Sequence, residues 1–274
     1  VTLIDLSWWQ LALAALLVGA LAGCTLLARL DIGKTILIAA VRTAVQLTLV
    51  GFVLEVLFSV AALAWIALMA LVMLLMAGRE VTARQKRRLS GGWAFGIGTL
   101  SMFISAFSVT VLTLVVIIGP QPWYAPQYAI PLLGMLLGNT MTGVAVGLDR
   151  LTDAVWRQRA VIENRLMLGH RWQDAIGDAR RDAMRSGMIP IINSMAAAGI
   201  VSLPGMMTGQ ILAGTPPALA VKYQILIMFT ITVGTGLGTL VAVLGASRRL
   251  FDQRERLRVD RLATGARNGA SRPG

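Results

Sequence analysis

The 274-residue sequence is poor in the side chains that most site chemistry uses, with one histidine and one cysteine in the whole chain. The single cysteine, Cys24, excludes an intrachain disulfide. The single histidine, His170, excludes a multi-histidine metal site. It also leaves any Ser-His-Asp set dependent on one imidazole in a charged loop, where a solvent-facing role is the ordinary one, so intramembrane hydrolysis has little to work with. Charge is scarce too: 14% of residues are Asp, Glu, Lys or Arg, against about 25% in an ordinary soluble domain. Acids are the rarer sign, 13 against 25 bases. A basic n-region is missing from Val1-Thr2-Leu3-Ile4-Asp5, which argues against a cleavable signal peptide.

What is present is apolar. Hydrophobic residues make up 56% of the chain and the mean hydropathy is +0.72. Seven runs approach the roughly 20 apolar residues that cross about 30 Å of hydrocarbon. They are Trp8–Ala28, Thr35–Glu55, Phe58–Ala77, Trp93–Ile118, Ile130–Leu148, Met188–Leu203 and Ala218–Ala246. The second and third are separated only by a weak hinge at 55–59. Two spans are expected there, because one helix of both would be about twice the bilayer thickness. The sixth is short before Pro204-Gly205, and the stretch to Pro217 has the character of a re-entrant turn. The fold class is therefore an all-α polytopic membrane protein with about seven spans.

The cations orient it. Of 25 Lys and Arg, 23 fall in segments 29–34, 79–90, 149–187 and the tail from 247. The connections at 119–129 and 204–217 contain no charged residue. Basic residues near span ends stay cytoplasmic, which puts the amino terminus outside and the carboxyl terminus in the cytoplasm. The permease domain is then 1–250. The basic tail is 251–274, and its composition beyond Arg267 predicts disorder. The net charge of +12 flanks spans and is interleaved with acids, so it does not form the aromatic-bearing basic stripe of a nucleic-acid binder. Trp8, Trp9, Trp123 and Tyr124 fit interfacial anchors.

Two loop-like motifs are rejected. Ala28 to Thr35 has the loose spacing of a P-loop, but a membrane helix stands where a buried strand is needed and Ala28 replaces the first glycine. Gly234, Gly236 and Gly238 lie inside an apolar span, where small residues permit close helix packing. Gly134 with Gly138, and Gly205 with Gly209, are spaced for the same purpose, within a subunit or between two. The 13 methionines include Met206 and Met207 beside Met135 and Met141. Thioethers suit a soft metal, but their usual role is to fill gaps between helices.

Polar residues at membrane depth are the pathway candidates. Arg42 lies about 12 Å into its span and shares a face with Gln46, one turn later. An unpaired arginine there costs several kcal/mol, so it either lines a cavity for an anionic or polar solute or makes a structural contact. Asn139, Asn193 and Gln210 are either interhelical partners or pathway residues. Segment 149–187 reads as two amphipathic helices, one along Leu151, Val155, Ile162 and Leu166, the other along Trp172, Ile176, Ala179 and Ala183. Gly169-His170 breaks them into an elbow. Such a lever, running straight into a span, suits a cytoplasmic partner that turns it.

Longer blocks carry a resemblance. Ile130-Pro-Leu-Leu-Gly-Met-Leu-Leu-Gly-Asn-Thr-Met141, Glu163-Asn-Arg-Leu-Met-Leu-Gly169, Arg185-Ser-Gly-Met-Ile-Pro-Ile-Ile-Asn-Ser-Met195, Leu203-Pro-Gly-Met-Met-Thr-Gly-Gln-Ile-Leu-Ala-Gly214 and Ala220-Val-Lys-Tyr-Gln-Ile225 resemble the iron-export permease family of ABC transporters. These are the FetB-like membrane subunits, with plant relatives linked to aluminium tolerance. The similarity runs to about Leu250. It implies a non-catalytic permease of a bacterial inner membrane, paired with a separate ATP-binding subunit that carries the ATP and magnesium, and present as two copies. On that basis the expected coupling residues are Glu163, Leu166, Gly169, His170, Arg171 and Asp174; the expected pathway or gate joins the polar residues at depth, Arg42, Gln46, Asn139, Asn193 and Gln210, with Pro204, Gly205, Met206, Met207 and Gly209 of the 203–214 block. Iron fits the spans poorly, because they hold no histidine and almost no acid besides Glu55. It would have to move as a complex or along hydroxyl and carbonyl groups. An organic anion drawn by Arg42 and Lys222 is the alternative cargo. An ion-coupled transporter lacks a protonatable relay, and an assembly or sensor subunit would not need polar residues at depth.

Overall fold

The computed structural model describes residues 7–60 and 62–264. The disorder expected beyond Arg267 falls outside them. Among the described residues, six helices are long and apolar enough to cross a membrane. α1 (Trp8–Leu27) and α2 (Gly33–Val60) form a hairpin, followed by α3 (Leu63–Arg84). α2 ends at Val60 and α3 starts at Leu63, just beyond the expected hinge, as two helices rather than one. β1 (Arg87–Leu89) precedes a continuous span made of α4 (Trp93–Met102), a π-helical turn Phe103–Phe107, α5 (Ser108–Leu112) and a second π-helical turn Thr113–Ile118. α6 (Pro126–Arg157) starts with proline, whose missing N–H is no loss in a first turn, and its 32 residues are more than the roughly 20 that a crossing needs. α7 (Arg159–Met167), α8 (Trp172–Ala175), α9 (Gly177–Ala197), α10 (Gly205–Leu212), α11 (Pro217–Arg249) and β2 (Leu262–Thr264) complete the chain.

The sixth expected run, Met188–Leu203, does not form a helix of its own. Its residues to Ala197 are the end of α9, whose first half is charged. The helix then stops, and Gly199 takes a left-handed φ of 83° in a turn where its N–H donates to Ser202 O at 2.9 Å. α10 follows Pro204 as a short separate helix.

The core is a seam of α6, α9 and α11 with α3 and α4 against it. A Cβ on Gly187 of α9 would lie 2.7 Å from the Gly143 carbonyl of α6 and 2.7 Å from Thr239 Cγ2 of α11. Only glycine permits that three-helix approach. Gly238 on α11 likewise faces Ser105 in the first π-helical turn, with its virtual Cβ 2.7 Å from the Oγ. The expected packing role of the 234–238 glycines therefore holds. Gly138, Gly205 and Gly209 meet nothing within 4 Å, so the seam uses the Gly143–Gly147 pair instead.

At one end the chain is knitted together by polar bonds. Thr152 Oγ1 donates to Arg87 O at 2.9 Å, and Lys86 N donates to Asp149 Oδ1 at 2.7 Å. β1 pairs antiparallel with β2, Leu89 opposite Leu262. The stretch 250–264 thus folds back over this face, with Leu250 and Phe251 buried.

Candidate functional site

Two features stand out at opposite ends of α9. The first is the elbow. α7 ends at Met167, and Gly169 turns the chain with φ 87°, a value that a side chain rarely adopts. Arg165 closes the turn by donating to Asp178 Oδ2 at 2.9 Å and to Ala175 O at 3.4 Å. The Arg165 hydrogen bond and charge, helped by Arg181, hold the Asp178 carboxyl below the usual aspartate range. Trp172 donates its backbone N–H to Glu255 Oε2 at 3.0 Å and stacks on Phe251 with centroids 5.4 Å apart. The elbow is therefore braced by the returning tail.

The sequence-picked elbow residues divide. Glu163, Gly169, His170, Arg171 and Asp174 are exposed. Leu166 instead packs inward against the core. The apolar tip that does face solvent is Met167 and Leu168, 78% and 79% exposed. Sequence reasoning missed both, because a helical repeat marks the buried face and is silent on which apolar residue falls off it. The repeat itself holds, with Leu151, Val155, Ile162, Ile176, Ala179 and Ala183 buried, although the first helix is broken at Gln158.

The second feature is a groove of about 570 Å³ among α6, α9, α10 and α11. It brings together Asn139, Asn193, Pro204, Gly205 and Met206, residues spread over 68 positions of sequence. Asn139 Nδ2 donates to Met135 O at 2.8 Å. Gln224, which the sequence did not single out, is buried, and its Oε1 has no hydrogen-bond partner. It also lines a neighbouring apolar cavity of about 590 Å³ with Met195, Met207 and Met228. A buried amide oxygen without a donor costs about 1–3 kcal/mol, and a polar ligand or water would relieve it. Three methionines border each cavity, with Met228 shared. Among the described residues no cluster of three or more His, Cys, Asp or Glu could hold a metal.

Arg42 and Gln46 are not at the groove. They lie on α2, where the Arg42 Nη2 is 3.3 Å from Glu80 Oε2 on α3, and Glu80 also pairs with Arg84 at 3.5 Å. Gln46 is exposed. The structural-contact alternative for Arg42 is thus the one the geometry favours. Gly209 and Gln210 line neither cavity, though Gln210 Oε1 is also buried without a partner.

Residues 8–251 match a family described as "Uncharacterised protein family (UPF0014)". The chain belongs to this family. It is 38% identical to the UPF0014 membrane protein slr1647 of Synechocystis over 94% of this chain and 98% of the relative. It is 33% identical to an Escherichia coli protein named "Probable iron export permease protein FetB", over 85% of this chain and 88% of that one. Protein ALUMINUM SENSITIVE 3 of Arabidopsis thaliana is 33% identical over 68% of this chain and 66% of its own length. No solved structure matches. UPF0014 relatives are named membrane proteins, so this member is a membrane protein with a set of apolar transmembrane helices. A bacterial inner-membrane location fits.

Proposed function

We propose that this UPF0014 protein is the non-catalytic membrane subunit of an ATP-driven transporter, gripped at its elbow by a separate ATP-binding subunit that carries the nucleotide and magnesium. The observation that carries this reading is the Met167-Leu168 tip. Two large apolar side chains, almost fully exposed at the turn of a braced helix pair, are what a cleft on a partner would bury. α9 links tip and groove. It runs from Gly177, beside the elbow, to Ala197, at the groove, and Gly177 to Asn193 spans about 24 Å of helix. Pro190 sits inside it and removes one backbone hydrogen bond, which places a natural bend between the lever and the groove.

In this reading the 163–174 elbow transmits the stroke, and Pro204 to Gly214 opens and closes the outer end of the groove. Seven traverses with the amino terminus outside are supported by the tail, which joins the same face as β1 and the end of α6. If that face is cytoplasmic, α11 starts outside, and the α9–turn–α10 stretch makes the remaining traverse. The groove is open and includes exposed Asn139 and Asn193, which suits closure by a second copy. The cargo is iron or a related metal species, as the name of the Escherichia coli relative suggests. Amide, carbonyl and thioether groups then replace the carboxylates and imidazoles the groove lacks, so a complexed metal suits it better than a bare ion.

The test is co-purification. The tagged chain taken from its native membrane in mild detergent is expected to bring a stoichiometric ATPase. A double Met167→Asp, Leu168→Asp variant is expected to lose it by more than about tenfold, as expected for two buried apolar anchors. A chain that purifies alone, or a variant that keeps the ATPase, would overturn the coupling role.

A further inference from the structure

A cavity of about 790 Å³ lies apart from both the groove and the elbow tip. Its walls are Trp93 at the start of α4, the last turns of α11, and the turn that follows at 251–256. Five arginines line it (Arg248, Arg249, Arg254, Arg256 and Arg261) against one carboxylate, Asp252. That carboxylate is already engaged. Its Oδ1 accepts from the backbone N–H groups of Arg254 and Arg256, each at 2.9 Å, and its Oδ2 accepts from Arg256 Nε at 2.9 Å. Arg261 is held by donating to Arg249 O at 2.7 Å. Arg248, Arg249 and Arg254 have no carboxylate partner among the described residues. Arg249 lies over the Trp93 ring at 4.2 Å and Arg248 over Trp172 at 5.6 Å. A concave site with three uncompensated guanidiniums selects an anion with several acceptor oxygens.

The level of the site says which kind. Trp93 opens a membrane span and is 47% exposed, the setting of an interfacial aromatic. Gly245 forms part of the same wall and packs against Ile97, one turn into that span. Deeper on the same two helices, Leu100 and Leu244 are exposed and apolar. An anion held here sits where phospholipid headgroups lie, with apolar surface below it for acyl chains. Basic pockets at the ends of spans recognise such headgroups.

We infer that this cavity binds the phosphate of an anionic phospholipid from the leaflet on the tail's side of the membrane. The inference rests on the level of Trp93 and is independent of the cargo or of an ATPase partner. It ties the strap at 251–264 to the lipid, since the strap supplies two of the five arginines from its turn and a third from Arg261.

The test uses the full chain, purified in mild detergent, delipidated, and titrated with phosphatidylglycerol, phosphatidylcholine or inorganic phosphate, with bound lipid counted by native mass spectrometry. Phosphatidylglycerol is expected to bind and phosphatidylcholine to be rejected. Arg249→Gln with Arg254→Gln is expected to weaken phosphatidylglycerol binding about 30-fold, and Arg254→Gln alone, on an exposed turn that tolerates it, about fivefold. Arg185→Gln on α9 is expected to bind like the parent. Unchanged affinity in the two cavity variants, equal uptake of phosphatidylcholine, or displacement of the lipid by millimolar inorganic phosphate would overturn the proposal, the last by making this a site for a free anion.

Discussion

The α1–α2 hairpin and α11 are equally apolar, but α1 buries only Ala22 and Thr25, whereas α11 buries thirteen residues, most of them Gly, Ala, Ser or Thr. The large side chains of the hairpin, such as Leu17, Ile38 and Phe52, face outward. Within a bilayer, lipid tails are as apolar as leucine, so hydrophobicity inserts a helix without choosing its neighbour. Small residues choose it, by letting backbones approach and by lining helices with hydroxyls that bond back to their own turn, as Thr230 does to Leu226 O at 2.7 Å. The hairpin is therefore held to the body chiefly by Leu54 and Leu57 against Ile66 and Ile130 and by the Arg42–Glu80 pair.

The sharpest way to break this contrast is a matched pair of glycine substitutions. Gly187→Leu forces a side chain into the Gly143 carbonyl and Thr239 and is expected to cost about 3 kcal/mol or more, or to prevent assembly. Gly51→Leu on α2, which meets nothing within 4 Å, is expected to be neutral or slightly stabilising. Thermal unfolding in detergent compares them, and equal losses would show that the hairpin is packed as tightly as the seam.

Gln224→Leu sharpens the contrast from the functional side. Removing an unpaired buried oxygen is expected to leave stability unchanged or raise it by about 1 kcal/mol, while transport by reconstituted protein falls. Unchanged transport would remove Gln224 from the pathway. Arg42→Met is a milder test. The pair is half exposed, so its loss is expected to cost about 1 kcal/mol or less with transport retained. Lost transport at unchanged stability would return Arg42 to the pathway.

The smallest effect concerns the strap. The Arg258 hydrogen bond and charge bring the Asp260 carboxyl down to about 2, and the backbone N–H of Arg256 lowers Asp252. Since these folded values lie below the unfolded one, the stabilisation is complete above about pH 4 and is lost as pH falls towards 2. Hydrogen exchange at pH 3 is expected to show 250–264 loosened while the seam stays protected. Equal protection at pH 3 and pH 6 would show that these ion pairs do not hold the strap.

Much of this was legible in the chain because periodicity and length are local. Six of the seven apolar runs became helices, the glycine elbow fell at Gly169, and the buried positions of 149–187 matched its repeat. Leu166 was misjudged because the repeat that marks it as interior also placed it beside the turn. Gly187, the tightest contact of the seam, lies inside the Arg185–Met195 block yet has no nearby glycine to make a pair. Its partner is Gly143 on another helix, and such pairings have no sequence spacing. The same holds for Gln224 beside Asn139 and Asn193.

Sequence alone determined that the chain enters a membrane and that an elbow interrupts its charged 149–187 segment, since each follows from transfer free energy and backbone preference along a single stretch. Only tertiary structure decided that Arg42 pairs with Glu80, that the tail braces Trp172, and that five arginines surround one cavity. Those arrangements depend on distances between helices, which are fixed by where small residues let backbones meet.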